Sequence, residues 1–157
     1  MSTRVLASLG ALFLLPVLAT VADDAKPLTV ELKSFKFPEG KSDLFGLDEA
    51  ENKLFFYTNG KAAAKFKVSA DGDFEIIVTA SGDKALNEGA KFKVAVDGKD
   101  VGKETETSDG DPKEYMFTST LKAGEHELTI EFTNDVFKEG EYDRNLYVHA
   151  VALKTKK

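Results

Sequence analysis

The chain of 157 residues contains no cysteine and no tryptophan, and only two histidines. Without cysteine there is no disulfide, no thiol nucleophile and no cysteine-bound zinc. His126 and His149 lie in strand-like sequence with no second His or Cys close by, short of the three protein ligands that a catalytic zinc takes. An excess of positive charge is missing too. Acids outnumber bases 27 to 21, and a net charge of −6 argues against nucleic acid and anionic membrane surfaces while favouring a cation. The short catalytic signatures are likewise absent: no G-x-S-x-G, no H-E-x-x-H and no glycine-rich phosphate loop. Carboxylate pairs are unavoidable among 27 acids, so their presence signals no hydrolase. An enzyme is not expected.

Long apolar runs occur only at the start. Met1 to Arg4 carries one positive charge and no acid, Val5 to Leu18 is predominantly apolar, and Thr20 and Ala22 place small residues at the exit. That order is a secretory signal peptide, expected over residues 1–22 with cleavage after Ala22, or secondarily after Ala25. Pro16 inside the run, its shortness against the about 20 residues of a membrane span, and Asp23 and Asp24 directly after it argue against a retained anchor. Removing 22 of 157 residues leaves 135, the size of one domain, with 20 bases against 27 acids once Arg4 is lost. The expected product is secreted or periplasmic, with no stable membrane insertion.

Residues 23–27 read as a short tether. From Leu28 onward, period-two alternation takes over. Leu28, Val30 and Leu32 alternate with Thr29 and Glu31; Phe74, Ile76 and Val78 with Glu75, Ile77 and Thr79; Leu128, Ile130 and Phe132 with Thr129 and Glu131. The stretches 65–69, 91–96 and 146–152 behave alike. Such segments are strands with one face in the core and one in water. Asn59-Gly60, Asp71-Gly72, Asp97-Gly98 and Asp109-Gly110 fall between them and supply the positive φ that tight turns need. The pattern predicts an all-β, antiparallel, jelly-roll-like β-sandwich as one domain over residues 28–157. Helical turns are expected only at Leu47 to Asn52 and at Lys84 to Glu88. The lysines along 61–67 and 91–93 form an outward basic face that discourages edge pairing.

The most unusual stretch runs from Phe132 through Asn134, Asp135, Asp143, Arg144 and Asn145 to Val148, preceded by Gly124, His126, Leu128 and Ile130. Its order, a strand ending in F-x-N-D and resuming after D-R-N-L-x-V, resembles the calcium-dependent xylan-binding carbohydrate-binding modules of families 36 and 60. Asp73 to Gly82 and Ala90 to Gly98 resemble strands of the same modules, so the likeness covers about residues 60–154. The resemblance implies a β-sandwich holding calcium (Ca2+) in a loop cleft, completed by two adjacent sugar hydroxyls. It implies Asp135 as one calcium ligand and Asp143 or Asn145 as the second, because the intervening loop is longer here than in compact members. Glu88 is a further candidate acid.

The residues themselves suit that chemistry. Calcium takes six to eight oxygens in irregular geometry, and the 134–145 loop offers Asn134, Asp135, Glu139, Glu141, Asp143 and Asn145 between two anchoring strands. It is not an EF-hand, whose spacing is absent. Arg144 has two readings: a bidentate bond to a loop carboxylate that fixes the ligand oxygens, or contact with sugar hydroxyls. Phe137 and Tyr142 form a stacking surface for a sugar, or else one of them plugs the end of the sandwich. Without tryptophan any such platform is modest. The expected partner is a polysaccharide or glycan, joined by a separate enzyme or cell-surface component. The alternative is a non-catalytic interaction sandwich that keeps a stabilising calcium and binds no sugar.

Overall fold

The computed structural model describes residues 26–156 except 39 and 41, so the expected leader over 1–22 lies outside the described residues. In chain order the strands are β1 (Leu28–Thr29), β2 (Phe45–Asp48), β3 (Lys53–Phe56), β4 (Gly60–Val68), β5 (Gly72–Gly82), β6 (Lys91–Val96), β7 (Lys99–Asp100), β8 (Thr105–Glu106), β9 (Lys113–Leu121), β10 (Gly124–Phe132), β11 (Phe137–Lys138), β12 (Tyr142–Asp143) and β13 (Leu146–Thr155). The larger sheet has the order β2-β3-β13-β5-β9, with β1 beside the far half of β13. The smaller has β4-β10-β6-β7, with β8 also on β6, and β11 and β12 form a ribbon of their own. All the strand pairs are antiparallel.

Alternation becomes packing in a direct way. Leu54, Phe56, Ile76, Val78, Leu146 and Val148 from the larger sheet meet Phe92, Val94, Leu128, Ile130 and Phe132 from the smaller, all at most 1% exposed and all in one core cluster. Burying a side chain of this size contributes about 1.5–3 kcal/mol, which makes the face assignment hard to slip. One irregularity is built into β13. Its register against β5 shifts between Val148 and Ala150, so His149 and Ala150 both face outward while Val148 and Val151 stay in the core.

The structure corrects three expectations. The alternation at 28–32 is a strand only over Leu28–Thr29, and Leu32 opens a 3-10 turn, Leu32–Ser34. Val30 and Leu32 are buried all the same. The expected helical turn at Leu47 to Asn52 is instead the end of β2 and the tight connection to β3, where Asp48 Oδ1 accepts from the N–H groups of Ala50 and Glu51. Lys84 to Glu88 is likewise no helix: Ala85 and Glu88 bridge each other across Leu86 and Asn87, whose φ values of 54° and 64° make a hairpin turn. Beyond Leu32, the Lys36 N–H donates to Ala63 O and its carbonyl accepts in return, so the chain crosses to the edge of β4 before entering β2.

Candidate functional site

The loop between β10 and β13 folds back on itself as the β11–β12 ribbon, in which Phe137 pairs with Asp143. The Arg144 N–H donates to Val136 O at 3.0 Å, which continues the register and sets Asp135 opposite Asn145. Paired residues share a face. One face therefore carries Asp135, Phe137, Asp143 and Asn145, and the other carries Val136, Tyr142 and Arg144.

On the first face, Asn145 Nδ2 donates to Asp143 Oδ2 at 3.0 Å and to Asp83 Oδ2 at 2.9 Å. Asp83 arrives from β5: Gly82 pairs with Leu146, and the Asp83 N–H donates to Asn145 O at 3.0 Å. A side chain at 82 would not fit, since a Cβ there would stand 2.6 Å from both Ala90 Cβ and Thr107 Oγ1. The Tyr147 hydroxyl donates to the same Asp83 oxygen at 3.1 Å. Burial, then the Asp83 charge, push its pKa far above the usual phenol value, so it stays a donor. Asp135 is tied down through its N–H, which donates to Asn59 Oδ1 at 2.8 Å.

Two oxygens on this face, Asp135 Oδ1 and Asn145 Oδ1, are buried and have no hydrogen-bond partner among the described residues. Leaving such groups unpaired costs about 1–3 kcal/mol each. Two carboxylates also converge on a single neutral amide. A hard cation relieves both conditions, and an all-oxygen donor set of carboxylate, amide and carbonyl groups is what calcium takes. Among the described residues no cage of three or more His, Cys, Asp or Glu side chains is assembled. A calcium here therefore depends on amide and backbone oxygens, and on water, as well as on the acids.

The second face explains residues that the sequence places differently. Arg144 is 4% exposed, and its guanidinium donates to Glu88 O at 3.1 Å, Asn134 O at 2.6 Å and Ala85 O at 2.5 Å. It does not grip a carboxylate in bidentate fashion. Glu88, expected as a metal-binding acid, sits here too, ion-paired with Lys91 and 3.4 Å from Arg144 Nη2. Lys91 is the main cause of its lowered pKa. Asn134, expected to touch ligand, is spent on structure: Oδ1 accepts from the Lys91 N–H at 2.6 Å and Nδ2 donates to Gly89 O at 3.0 Å. Tyr142 lies on the Arg144 face, half-buried. Phe137 lies on the Asp143 face, 65% exposed, and does not plug the sandwich.

Sequence reasoning missed Asp83, Asn59 and Tyr147. Ser81, Gly82 and Asp83 at a strand end read as a turn, and only the register of β5 against β13 reveals Asp83 beside Asn145.

A sandwich that presents oxygen donors from its rim has the architecture of a binding module. The sequence matches the family of Ca-dependent, xylan-binding carbohydrate-binding modules over residues 75–157, and the chain belongs to that family. Comparison with curated proteins finds no match. Among solved structures, a family 36 module of a multidomain xylanase from the hindgut metagenome of Trinervitermes trinervoides aligns with TM-score 0.64 at 12% identity, covering 84% of this chain and 99% of that one. A family 36 module solved with calcium and xylotriose gives 0.57 at 18% identity, over 80% and 98%. A mannan-binding module gives 0.55 at 20%, over 82% and 98%. At these identities the likeness establishes the fold.

Proposed function

We propose that this is an exported, non-catalytic module that binds a xylan-type polysaccharide through calcium held on the face that carries Asp83, Asp135, Asp143 and Asn145, with amide and backbone oxygens and water completing its shell. The observation that carries the reading is the ribbon face itself: two carboxylates converging on Asn145, beside two buried oxygens that lack partners. When bound, calcium supplies open positions for vicinal sugar hydroxyls. The chain's own residues do the rest. Asn59 and Tyr147 fix the orientation of Asp135 and Asp83, and Phe137 offers an exposed ring beside Asp143. Family membership and the fold shared with the calcium–xylotriose complex support this choice of ligand. The similar domain within a multidomain xylanase supports action alongside a polysaccharide-degrading enzyme. Export rests on the basic, apolar and small-residue order of residues 1–22.

Calorimetric titration with xylotriose tests the reading. Binding in calcium is expected to vanish in EDTA, and Asp143→Asn is expected to weaken it at least about tenfold, the scale of one charge-assisted ligand contact. Binding indifferent to both treatments would sink the mechanism.

A further inference from the structure

The outer face of the larger sheet, turned away from the core, carries a row of residues fixed by register: Ser81 opposite Tyr147, Tyr147 opposite Phe55, and Phe55 opposite Gly46. Tyr57, one step nearer the loops, packs on Phe55 with ring centroids 4.8 Å apart and meets Tyr147 edge-on at 6.3 Å. Lys53 Nζ lies 4.7 Å above the Tyr147 ring. Tyr57 is 41% exposed, and Phe55 and Tyr147 are half-buried. None of the three joins the core, which lies on the opposite face. Aromatic rings gathered on the solvent side of a sheet are a candidate binding surface.

The row has two ends. At one, the Tyr147 hydroxyl reaches Asp83 on the candidate metal face. At the other, beyond Phe55, a cavity of about 690 Å³ opens beside β2 between Phe37, Phe45 and Leu47 on its apolar side and Lys36, Ser42 and Asp43 on its polar side. Gly46 keeps the passage in shape, because a Cβ there would stand 3.1 Å from two carbons of the Phe55 ring. Residues 36–57, which build this half, lie outside the family match at 75–157.

We infer that this row and cavity take further sugar rings of the same polysaccharide chain, so that the binding surface runs from Asp83 across β13 and β3 to the edge at β2. The inference rests on the function proposed above. From β5 to β2 is three strand spacings, about 14 Å, and a β-linked pyranose chain repeats at close to one strand spacing. A chain lying across the strands thus sets successive rings beside Tyr147, whose own ring carries Lys53, on Phe55 and at the cavity. The lining suits such a ligand on both sides. The C–H faces of a pyranose lie on aromatic carbon, and its rim of hydroxyls meets the ammonium, hydroxyl and carboxylate groups of Lys36, Ser42 and Asp43.

The test compares xylotriose with xylohexaose by calorimetry in calcium. The native protein is expected to bind the hexaose more tightly. Phe55→Ala is expected to weaken the hexaose about tenfold and the triose less than about twofold, the scale of one aromatic contact. Gly46→Ala, which keeps the ring but crowds it, shifts the hexaose in the same direction. Hexaose but not triose also moves the backbone amide signals of Gly46 and Leu47 in the native protein, a readout that needs no variant. Equal affinity for the two sugars, parallel losses for both in Phe55→Ala, or unmoved amides overturns the extension while leaving the metal reading intact. Triose binding that survives EDTA overturns the metal reading alone, and a native protein that binds neither sugar overturns both.

Discussion

Arg144 shows what a single buried cation can do without a ligand to bind. Its three nitrogens reach two carbonyls of the Ala85–Glu88 turn and one at Asn134, so the guanidinium ties that turn to the loop that follows β10. Lysine brings one ammonium and no fork, and cannot serve both loops at once. Arg144→Lys is expected to lower unfolding stability by about 3 kcal/mol, the cost of stranding buried carbonyls and an unpaired charge. It should also weaken calcium binding by loosening the ribbon. Urea titration and calcium calorimetry on the variant check both outcomes. In the sequence Arg144 is conspicuous among acids, so a carboxylate partner is the natural reading. Carbonyl partners are invisible there, because every residue has one.

At the scale of elements, His126 locks two hairpins together. Its Nδ1 lies 2.7 Å from Asp97 Oδ2 at the β6–β7 turn and its Nε2 lies 2.8 Å from Lys122 O at the β9–β10 turn. Both partners accept, so the doubly protonated imidazolium is the form that satisfies both contacts. Asp97 first, then the Lys122 carbonyl, raise the His126 pKa above 6.5, and His126 in turn holds Asp97 below 3.8. The imidazolium contribution is complete below pH 6.5 and is lost as pH climbs through the raised value. The Asp97 contribution is present above 3.8 and is lost as pH falls through the lowered one. His149 runs the other way, since burial lowers its pKa and its contribution grows with pH. Subtracting Asp97→Asn from the native protein isolates the clamp. The difference in urea midpoint is expected to be largest at mildly acidic pH and to shrink past neutrality; a difference constant with pH contradicts it. The strands themselves were legible wherever one face is apolar and the other charged, as along 74–80 and 127–132. They were illegible at Lys53 to Tyr57, where apolar side chains occupy both faces and alternation cannot tell Leu54 and Phe56, in the core, from Phe55 and Tyr57, outside it.

For the molecule as a whole, the calcium proposed above ties binding to stability. A metal that binds only the folded chain stabilises it by about 2.7 kcal/mol at a hundredfold excess over its dissociation constant. Thermal melts are therefore expected to rise with calcium in the native protein and not in Asp83→Asn, and to rise again when a xylan oligosaccharide is added. A melt unmoved by calcium contradicts the site. A rise with calcium and none with glycan selects a purely stabilising ion. The existence of an oxygen-rich loop was legible in the sequence because its acids lie close together in the chain. Asp83 was not, because it joins Asn145 from 62 residues away, a distance that only sheet register closes.

That register has a consequence for how the domain comes into being. The last strand, β13, is the common neighbour of β1, β3 and β5, and Asn145 immediately precedes it. Until it inserts, β3 and β5 have no route to each other, the larger sheet stands as separate fragments, and Asp83 faces no Asn145. Completing the larger sheet thus takes contacts of long sequence separation, the kind that folds slowly.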